Sequence, residues 1–208
     1  FVIYNTNFQD KIYTPYPAEI ISKTYDLNGK MLVTNKSRQY IDAFGNLIYQ
    51  VFEYGDGCID SIYHEYINDW DKWFIGRLVK STVYKSCPGQ ITIIRESAFE
   101  YNENTGLLVK EVLEPNQNDQ IKTEKIYEHD KFGNITKTTE KAWDGTQVVS
   151  RTKSAKYDAI GRFQIESINQ AGHKVSLKVD PYRGLPIEST DENGLVTKMK
   201  YNSLGILR

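Results

Sequence analysis

The stretch YDAIGRFQIESINQAGHKVSLKVDPYRGLPIESTDENGLVTKMKYNSLG, residues 157–205, repeats one turn signal along its whole length. Its glycines are Gly161, Gly172, Gly184, Gly194 and Gly205, at intervals of 11, 12, 10 and 11 residues. A fixed internal period is the signature of a repeat architecture. The sequence therefore predicts that one structural unit recurs along the chain.

The repeated signal is an Asp or Asn followed three or four residues later by Gly. The side-chain oxygen can accept hydrogen bonds from the turn backbone, and glycine tolerates the positive φ that such a turn needs. A turn of this type closes a β-hairpin with a bulge. Between turns, apolar Val175, Leu177 and Val179 alternate with polar residues, which is the period of a half-buried strand.

These features predict an all-β fold, a strip of consecutive antiparallel β-hairpins in a curved or spiral sheet with little helix. Tyrosines 157 and 201 stand directly before two of the turns. The predicted structural turn residues are Asp26, Gly29, Asp42, Gly45, Asp130, Gly133, Tyr157, Asp158, Gly161, Gly172, Gly184, Asp191, Gly194, Tyr201 and Gly205.

Several of these motifs resemble a known family. Residues 157–162 (YDAIGR) and 25–29 (YDLNG) look like the YD repeat of RHS proteins. Residues 73–78 (WFIGRL), 105–108 (TGLL) and 180–201 are similar to the repeat shell of bacterial insecticidal toxin complexes, in their B and C components. One YD box is a weak signal, whereas several at ordered spacings are specific for the repeat class.

The resemblance implies a structural role. It implies a β-shell segment that encloses a toxic C-terminal polypeptide and helps to deliver it, in a secreted or cell-surface bacterial protein. The implied partners are the remainder of the parent chain, the enclosed toxin and other toxin-complex components. The cleavage box of RHS cores, Asp-Pro-x-Gly-Leu, is not matched, because residues 180–185 (DPYRGL) contain one residue too many.

Composition sets broad limits on the function. The chain has 208 residues, a net charge of −1 and 15 tyrosines. Near-neutral charge argues against a nucleic-acid partner, and no apolar run reaches the ~20 residues of a membrane span. Because the chain begins with Phe1, we expect a fragment of a longer protein.

No linker is long enough to divide the chain, so the sequence predicts a single domain over residues 1–208. Within it, residues 1–24 read as an irregular lead-in with at most one edge strand. Residues 25–156 read as longer hairpin units, and residues 157–208 as regular repeats of about eleven residues.

Residues 59–74 carry conflicting signals. Apolar side chains recur there at helical spacing, three and four residues apart. β-branched and aromatic residues nevertheless dominate, and the neighbouring segments read as strands. We therefore predict a strand to about Tyr66, a loop, and a second strand from Trp73.

Candidate chemistry is sparse. The two cysteines, Cys58 and Cys87, are interpreted as ordinary thiols in preference to a disulfide, and they form no Cys-x-x-Cys pair for zinc. No histidine stands at a spacing that would make a catalytic triad. The sequence therefore predicts no enzyme activity, no metal and no cofactor.

One alternative function comes from the aromatic residues between 52 and 73, which stand among Asp56, Asp60, Glu65 and Asp69. Aromatic planes beside carboxylates suit a sugar-binding surface, and they equally suit a tyrosine-rich β-sheet. The rival to the shell is therefore an extracellular adhesion or carbohydrate-binding repeat module.

Overall fold

A computed structural model describes the backbone of residues 2–9 and 12–208, and the side chains of residues 2–4 and 15–208. Over this part of the chain it contains strands and no helix. The strands are β1 Val2–Gln9, β2 Ile12–Tyr25, β3 Met31–Ile41, β4 Leu47–Glu53, β5 Ile59–Asp69, β6 Phe74–Ser86, β7 Ile93–Tyr101, β8 Leu108–Leu113, β9 Thr123–His129, β10 Ile135–Trp143, β11 Val148–Tyr157, β12 Gln164–Ile168, β13 Lys174–Val179, β14 Pro186–Thr190 and β15 Val196–Lys198.

The strands hydrogen-bond in the order in which they occur in the chain, as an open antiparallel sheet. The predicted all-β strip of consecutive antiparallel strands is therefore confirmed. This order is the simplest that a chain of short turns can produce, because each turn returns the chain beside the strand it has just left.

Backbone contacts divide the chain into two compact units. Unit 1 comprises residues 1–100 and 112–116, and unit 2 comprises residues 101–111 and 117–208. The single domain over residues 1–208, with longer hairpin units at 25–156 and regular repeats at 157–208, stays a prediction.

The N-terminal prediction was wrong. Residues 1–24 are not an irregular lead-in, because β1 and β2 form an antiparallel pair that includes Tyr4↔Pro17 and Thr6↔Pro15. Prolines two residues apart remove N–H donors from the same side of a strand. Strand β2 begins its pairing with β3 only at Glu19. The part of β2 that contains the two prolines therefore needs no N–H donors on the side facing β3.

Residues 59–74 contain two strands, as predicted, joined by a turn at residues 70–73. β5 runs to Asp69, three residues beyond the predicted end at Tyr66, and β6 begins at Phe74, one residue beyond the predicted start. β5 pairs along both of its sides, for example Tyr63 with Tyr49 of β4 and with Thr82 of β6. Hydrogen bonding on two sides outweighs the helical spacing of the apolar residues.

Cys58 and Cys87 form a disulfide, so their interpretation as two ordinary thiols was wrong. The β5–β6 register explains the bond. Because Ile59 lies opposite Ser86, the next residue pair outward is Cys58 and Cys87, whose Cα atoms are 4.1 Å apart. Spacing along the sequence could not reveal this pairing before the register of the two strands was known.

The sheet has almost no enclosed core. Among the side chains that the structure describes, only Val51, Val112 and Thr82 are buried, and each keeps 7–8% of its surface exposed. The accessible surface of the chain is 14360 Å². A globular protein of this mass would expose about 9,900 Å², and two separate globules of half the mass about 12,000 Å². The excess surface therefore does not depend on how the two units are arranged.

The disulfide closes a loop with a sequence separation of 29 residues. We predict that dithiothreitol lowers the free energy of unfolding of unit 1 by about 3–4 kcal/mol, the value expected from loop-closure entropy. Urea denaturation followed by circular dichroism measures the change. A Cys58→Ser/Cys87→Ser double variant is the control and should not respond to the reductant. An equal urea midpoint for the oxidised and reduced wild-type chain would contradict the prediction.

Candidate functional site: the turns and the stacked edge

The turn at Asp26 shows the geometry of the repeat. Asp26 Oδ1 accepts hydrogen bonds from the backbone N–H of Asn28 at 2.9 Å and of Lys30 at 2.8 Å. The N–H of Gly29, at φ +79°, donates to the Asp26 carbonyl oxygen at 3.1 Å. One side-chain oxygen thus satisfies two donors that the tight backbone path would otherwise leave unpaired.

The same arrangement recurs through both units. The predicted turn glycines at 29, 45, 133, 161, 172, 184, 194 and 205 all lie at φ values of +71° to +89°. Side-chain oxygens that accept two turn N–H groups in this way belong to Asp42, Asp130, Asp158, Asn169, Asp180, Asp191 and Asn202.

The predicted site residues left out several of these acceptors. They included Gly172, Gly184 and Gly205 but not Asn169, Asp180 and Asn202, although each of the three precedes its glycine at the repeat spacing. The repeat signal already treats Asn as equivalent to Asp, and applying it before every turn glycine finds Asn169 and Asn202, because both side chains present an acceptor oxygen.

The two edges of unit 2 differ. On one edge, each of four turn glycines lies against an apolar side chain from the preceding turn on that edge. These neighbours are Leu107 for Gly133, Phe132 for Gly161, Phe163 for Gly184 and Leu185 for Gly205. We call this row of turns the stacked edge. A Cβ added to Gly161 would collide with the Phe132 ring and lie 2.8 Å from Phe132 Cβ.

Polar contacts reinforce the stacked edge. Asn134 Nδ2 donates to the carbonyl oxygen of Gly161 at 2.8 Å. Arg162 donates to the carbonyl oxygen of Pro181 at 3.0 Å, and Arg183 to that of Asn202 at 3.2 Å. Each of these bonds joins one turn to the next along the edge.

The opposite edge of unit 2, which we call the open edge, carries the turns of Gly145, Gly172 and Gly194. A Cβ added to any of these three glycines would meet no atom within 4 Å. Glycines on both edges therefore lie at positive φ, and on the stacked edge Gly161 and Gly184 also need to lack a side chain.

The two predicted tyrosines occupy different places. Tyr201 donates its hydroxyl to the carbonyl oxygen of Pro186 at 2.8 Å and so links the last turn to β14. Tyr157 lines an open groove of 440 Å³ on unit 2, together with Lys153, Ser167 and Val175. Both polar and apolar side chains line the groove.

One face of unit 2 carries a ladder of ion pairs. Glu166 lies between Lys156 at 3.0 Å and Lys174 at 2.5 Å, and Lys178 contacts Glu188 at 2.6 Å. The Lys174 and Lys156 ammonium groups hold the pKa of Glu166 below its usual value. Opposite charges on neighbouring strands support the register of the sheet.

Unit 1 carries a row of tyrosines in place of this ladder. The rings of Tyr40, Tyr49, Tyr63 and Tyr84 follow one another across β3 to β6, with centroid separations of 5.6, 4.5 and 5.7 Å. Tyr40 and Tyr63 remain nearly half exposed. The row covers one face of the sheet with aromatic surface that nothing in unit 1 encloses.

The histidines do not assemble a catalytic group in the described part of the chain. His64 is partly buried in β5, and desolvation lowers its pKa. His129 ends β9 and His173 follows the turn of Gly172. No group of three or more His, Cys, Asp or Glu residues that could hold a metal ion occurs among the described residues. These residues also contain no helix that could cross a membrane.

Alanine at two turn glycines separates backbone strain from packing. We predict that Gly172→Ala, on the open edge, lowers the free energy of unfolding by about 1 kcal/mol, because alanine is strained at positive φ. Gly161→Ala should cost about 1–3 kcal/mol more, because its Cβ would also displace Phe132. Thermal denaturation of the two variants measures the difference. Equal losses of stability in the two variants would contradict the packing between turns that defines the stacked edge.

The turn carboxylates predict acid sensitivity. Hydrogen bonds from the backbone N–H of Tyr182 and Arg183 lower the pKa of Asp180 from its ordinary value of 3.8. A lowered pKa adds stability above the unfolded-state pKa, and this stability is lost as the pH falls through the folded-state pKa. We predict that Asp180→Asn reduces the difference in melting temperature between pH 7 and pH 3. Asparagine keeps the acceptor oxygen but does not titrate.

The control for this measurement is Glu192→Gln. It removes the carboxyl group of an exposed turn residue. It should leave the acid-induced shift as it is in the wild type. A shift reduced equally by both variants would show that general charge, not the turn geometry, causes the acid sensitivity.

Comparison with known proteins gives no match to a family model and none to a curated protein. Solved structures do match. The crystal structures of TcdB2-TccC3-Cdc42 and of TcdB2-TccC3 without its hypervariable C-terminal region each align with 92% of this chain at a TM-score of 0.56 and 17% identity. The Tc holotoxin pore of Photorhabdus luminescens aligns with 92% of the chain at a TM-score of 0.56 and 16% identity.

The chain spans only 10% of the length of each of these toxin chains. Identities of 16–17% establish likeness of fold and not of activity. The sheet of consecutive antiparallel strands described above therefore has a fold like that found in part of the TcdB2-TccC3 structures.

Proposed function

We propose that this chain is a structural segment of a β-shell that encloses a toxic polypeptide and helps to deliver it. The observation that carries the proposal is the 14360 Å² of accessible surface on a sheet with almost no enclosed core. A sheet in this state needs other surfaces to cover its faces. Further repeats of the parent chain and an enclosed polypeptide would supply them.

The regularity of the turns supports the same function. A wall can be extended by adding repeats because it has no closed core that limits its size. Each repeat is stabilised mainly by contacts with its neighbours, which makes this extension possible. In unit 2 the stacked edge supplies such contacts, since Phe132, Phe163 and Leu185 each pack on the following turn. A wall segment also needs no catalytic group, so we propose that the chain has no enzyme activity of its own.

The disulfide supports a secreted or cell-surface location. Disulfides persist in oxidising compartments and are rare in the cytosol of most cells. The Cys58–Cys87 bond fixes the end of the β5–β6 pair. By analogy with the TcdB2-TccC3 structures, the partners would be the rest of the parent chain, the enclosed polypeptide and other toxin-complex components.

Self-association of the isolated chain tests the uncovered faces. We predict that sedimentation velocity shows association that increases with concentration, because exposed strand edges and apolar faces pair with one another. The fluorescence of an apolar dye should rise on binding to the chain. If the chain stays monomeric at high concentration and binds no dye, the result contradicts the proposed shell function. It then favours a self-contained binding module.

Limited proteolysis of the full-length parent protein tests enclosure. The polypeptide that follows the repeats should resist the protease while the shell is intact. It should become cleavable in a Gly161→Val variant, in which the stacked edge is disrupted. Equal digestion of the polypeptide in both proteins would contradict enclosure.

A further inference from the structure

One turn of unit 1 departs from the repeat. The backbone N–H of Trp73 donates to the carbonyl oxygen of Trp70 at 3.4 Å, as Gly161 donates to Asp158 in a regular turn. Trp73 therefore stands where the other turns have glycine, and its φ is +56°. Among the described residues, only Glu114 is a second non-glycine residue at positive φ. A large side chain in this conformation is strained, and strain of this kind gathers at functional positions.

The side chain that causes the strain points outward into solvent. Trp73 is 71% exposed and Trp70 is 57% exposed. Their ring centroids are 5.6 Å apart, and Phe44 from the preceding turn on this edge lies 5.0 Å from Trp70. We call these three residues the aromatic cluster. Folding gains little from indole rings that remain so exposed, so burial does not explain why glycine is absent here.

A regular turn shows what the cluster replaces. Phe44 is the third residue of the turn 42–45, the position that Phe132 holds in the turn 130–133. Phe132 packs on Gly161 of the next turn, whereas Phe44 packs on the ring of Trp70. The contact between these two turns is thus made by a pair of aromatic rings and not by a ring packed on a glycine.

Polar residues neighbour the cluster in the sequence. Asp69 and Asn68 lie directly before Trp70, and Asp71 follows it as an exposed residue. Asp69 Oδ1 accepts the backbone N–H of Lys72 at 3.0 Å, which orients this carboxyl in the turn. Asn68 Oδ1 accepts the N–H of Gly76 at 2.7 Å, which fixes the orientation of this amide.

We propose that the aromatic cluster of Phe44, Trp70 and Trp73 binds a carbohydrate. The C–H face of a pyranose ring carries partial positive charge and stacks on the negative face of an indole, and its hydroxyl groups bond to carboxylate and amide oxygens. The rings contact one another, so they cannot enclose a cation as an aromatic cage would. The proposal is independent of the shell, since the cluster lies on the turns and not on the sheet faces.

Tryptophan fluorescence tests the proposal. The chain has three tryptophans, so a Trp143→Phe background leaves Trp70 and Trp73 as the emitters. The probes are chitotetraose, cellotetraose and mannotetraose, with phosphocholine as the cationic comparison. We expect at least one oligosaccharide to change the emission saturably, and Trp70→Ala to weaken its binding by about tenfold or more.

Trp73→Gly is the decisive variant, because it restores the repeat residue and relieves the strain. It should keep or raise the melting temperature while it weakens sugar binding about tenfold or more, as expected where strain is retained for function. Tyr182→Ala is the matched control, because Tyr182 is an exposed aromatic turn residue outside the cluster. Its sugar affinity should equal that of the Trp143→Phe background protein.

Three results would overturn the proposal. The first is that none of the three oligosaccharides binds saturably. The second is that sugar binding persists undiminished in Trp70→Ala and Trp73→Gly, which would place the site elsewhere. The third is that phosphocholine binds and no sugar does, which would make the cluster a cation site. The self-association expected from the proposed shell function is measured separately, and none of these three results affects it.

Discussion

The structure depends on one local interaction, a side-chain oxygen of Asp or Asn that accepts two backbone N–H groups across a turn that glycine completes at positive φ. The bonds from Asn28 and Lys30 to Asp26 show it in unit 1, and those from Ala171 and His173 to Asn169 show it in unit 2. Because the interaction closes within five residues, it fixes where each strand ends without help from a core. Strand order then follows chain order.

A sheet built in this way must be stabilised mainly by contacts between its own neighbouring strands and turns. Few side chains are buried, so the ordinary hydrophobic contribution of a packed interior is small. Contacts between neighbouring strands and turns take its place. In unit 2 they are the ion pairs of Glu166 and the packing of Phe132 on Gly161. In unit 1 they are the tyrosine row and the Cys58–Cys87 disulfide.

The parts of the fold that could be predicted from the sequence are those that local interactions determine. The turn at Asp158 and Gly161 is visible in the sequence because its donors and acceptors lie within five residues of one another. The disulfide and the Phe132–Gly161 contact could not be predicted, because each joins residues 29 positions apart and depends on the register of the strands between them. The β1–β2 pair was missed because Pro15 and Pro17 argue against a strand unless its pairing is known. The aromatic cluster was visible as composition, but its strain at Trp73 was not.

Native-state hydrogen exchange tests the role of the stacked edge most directly. The amides of Gly161 and Gly184 on the stacked edge and of Gly172 and Gly194 on the open edge all donate to a turn carbonyl oxygen at 2.9–3.1 Å. Their hydrogen bonds have similar lengths, so a difference in exchange reports the packing between turns. The account predicts that Gly161 and Gly184 exchange about tenfold or more slowly than Gly172 and Gly194. Equal protection at all four glycines would contradict it.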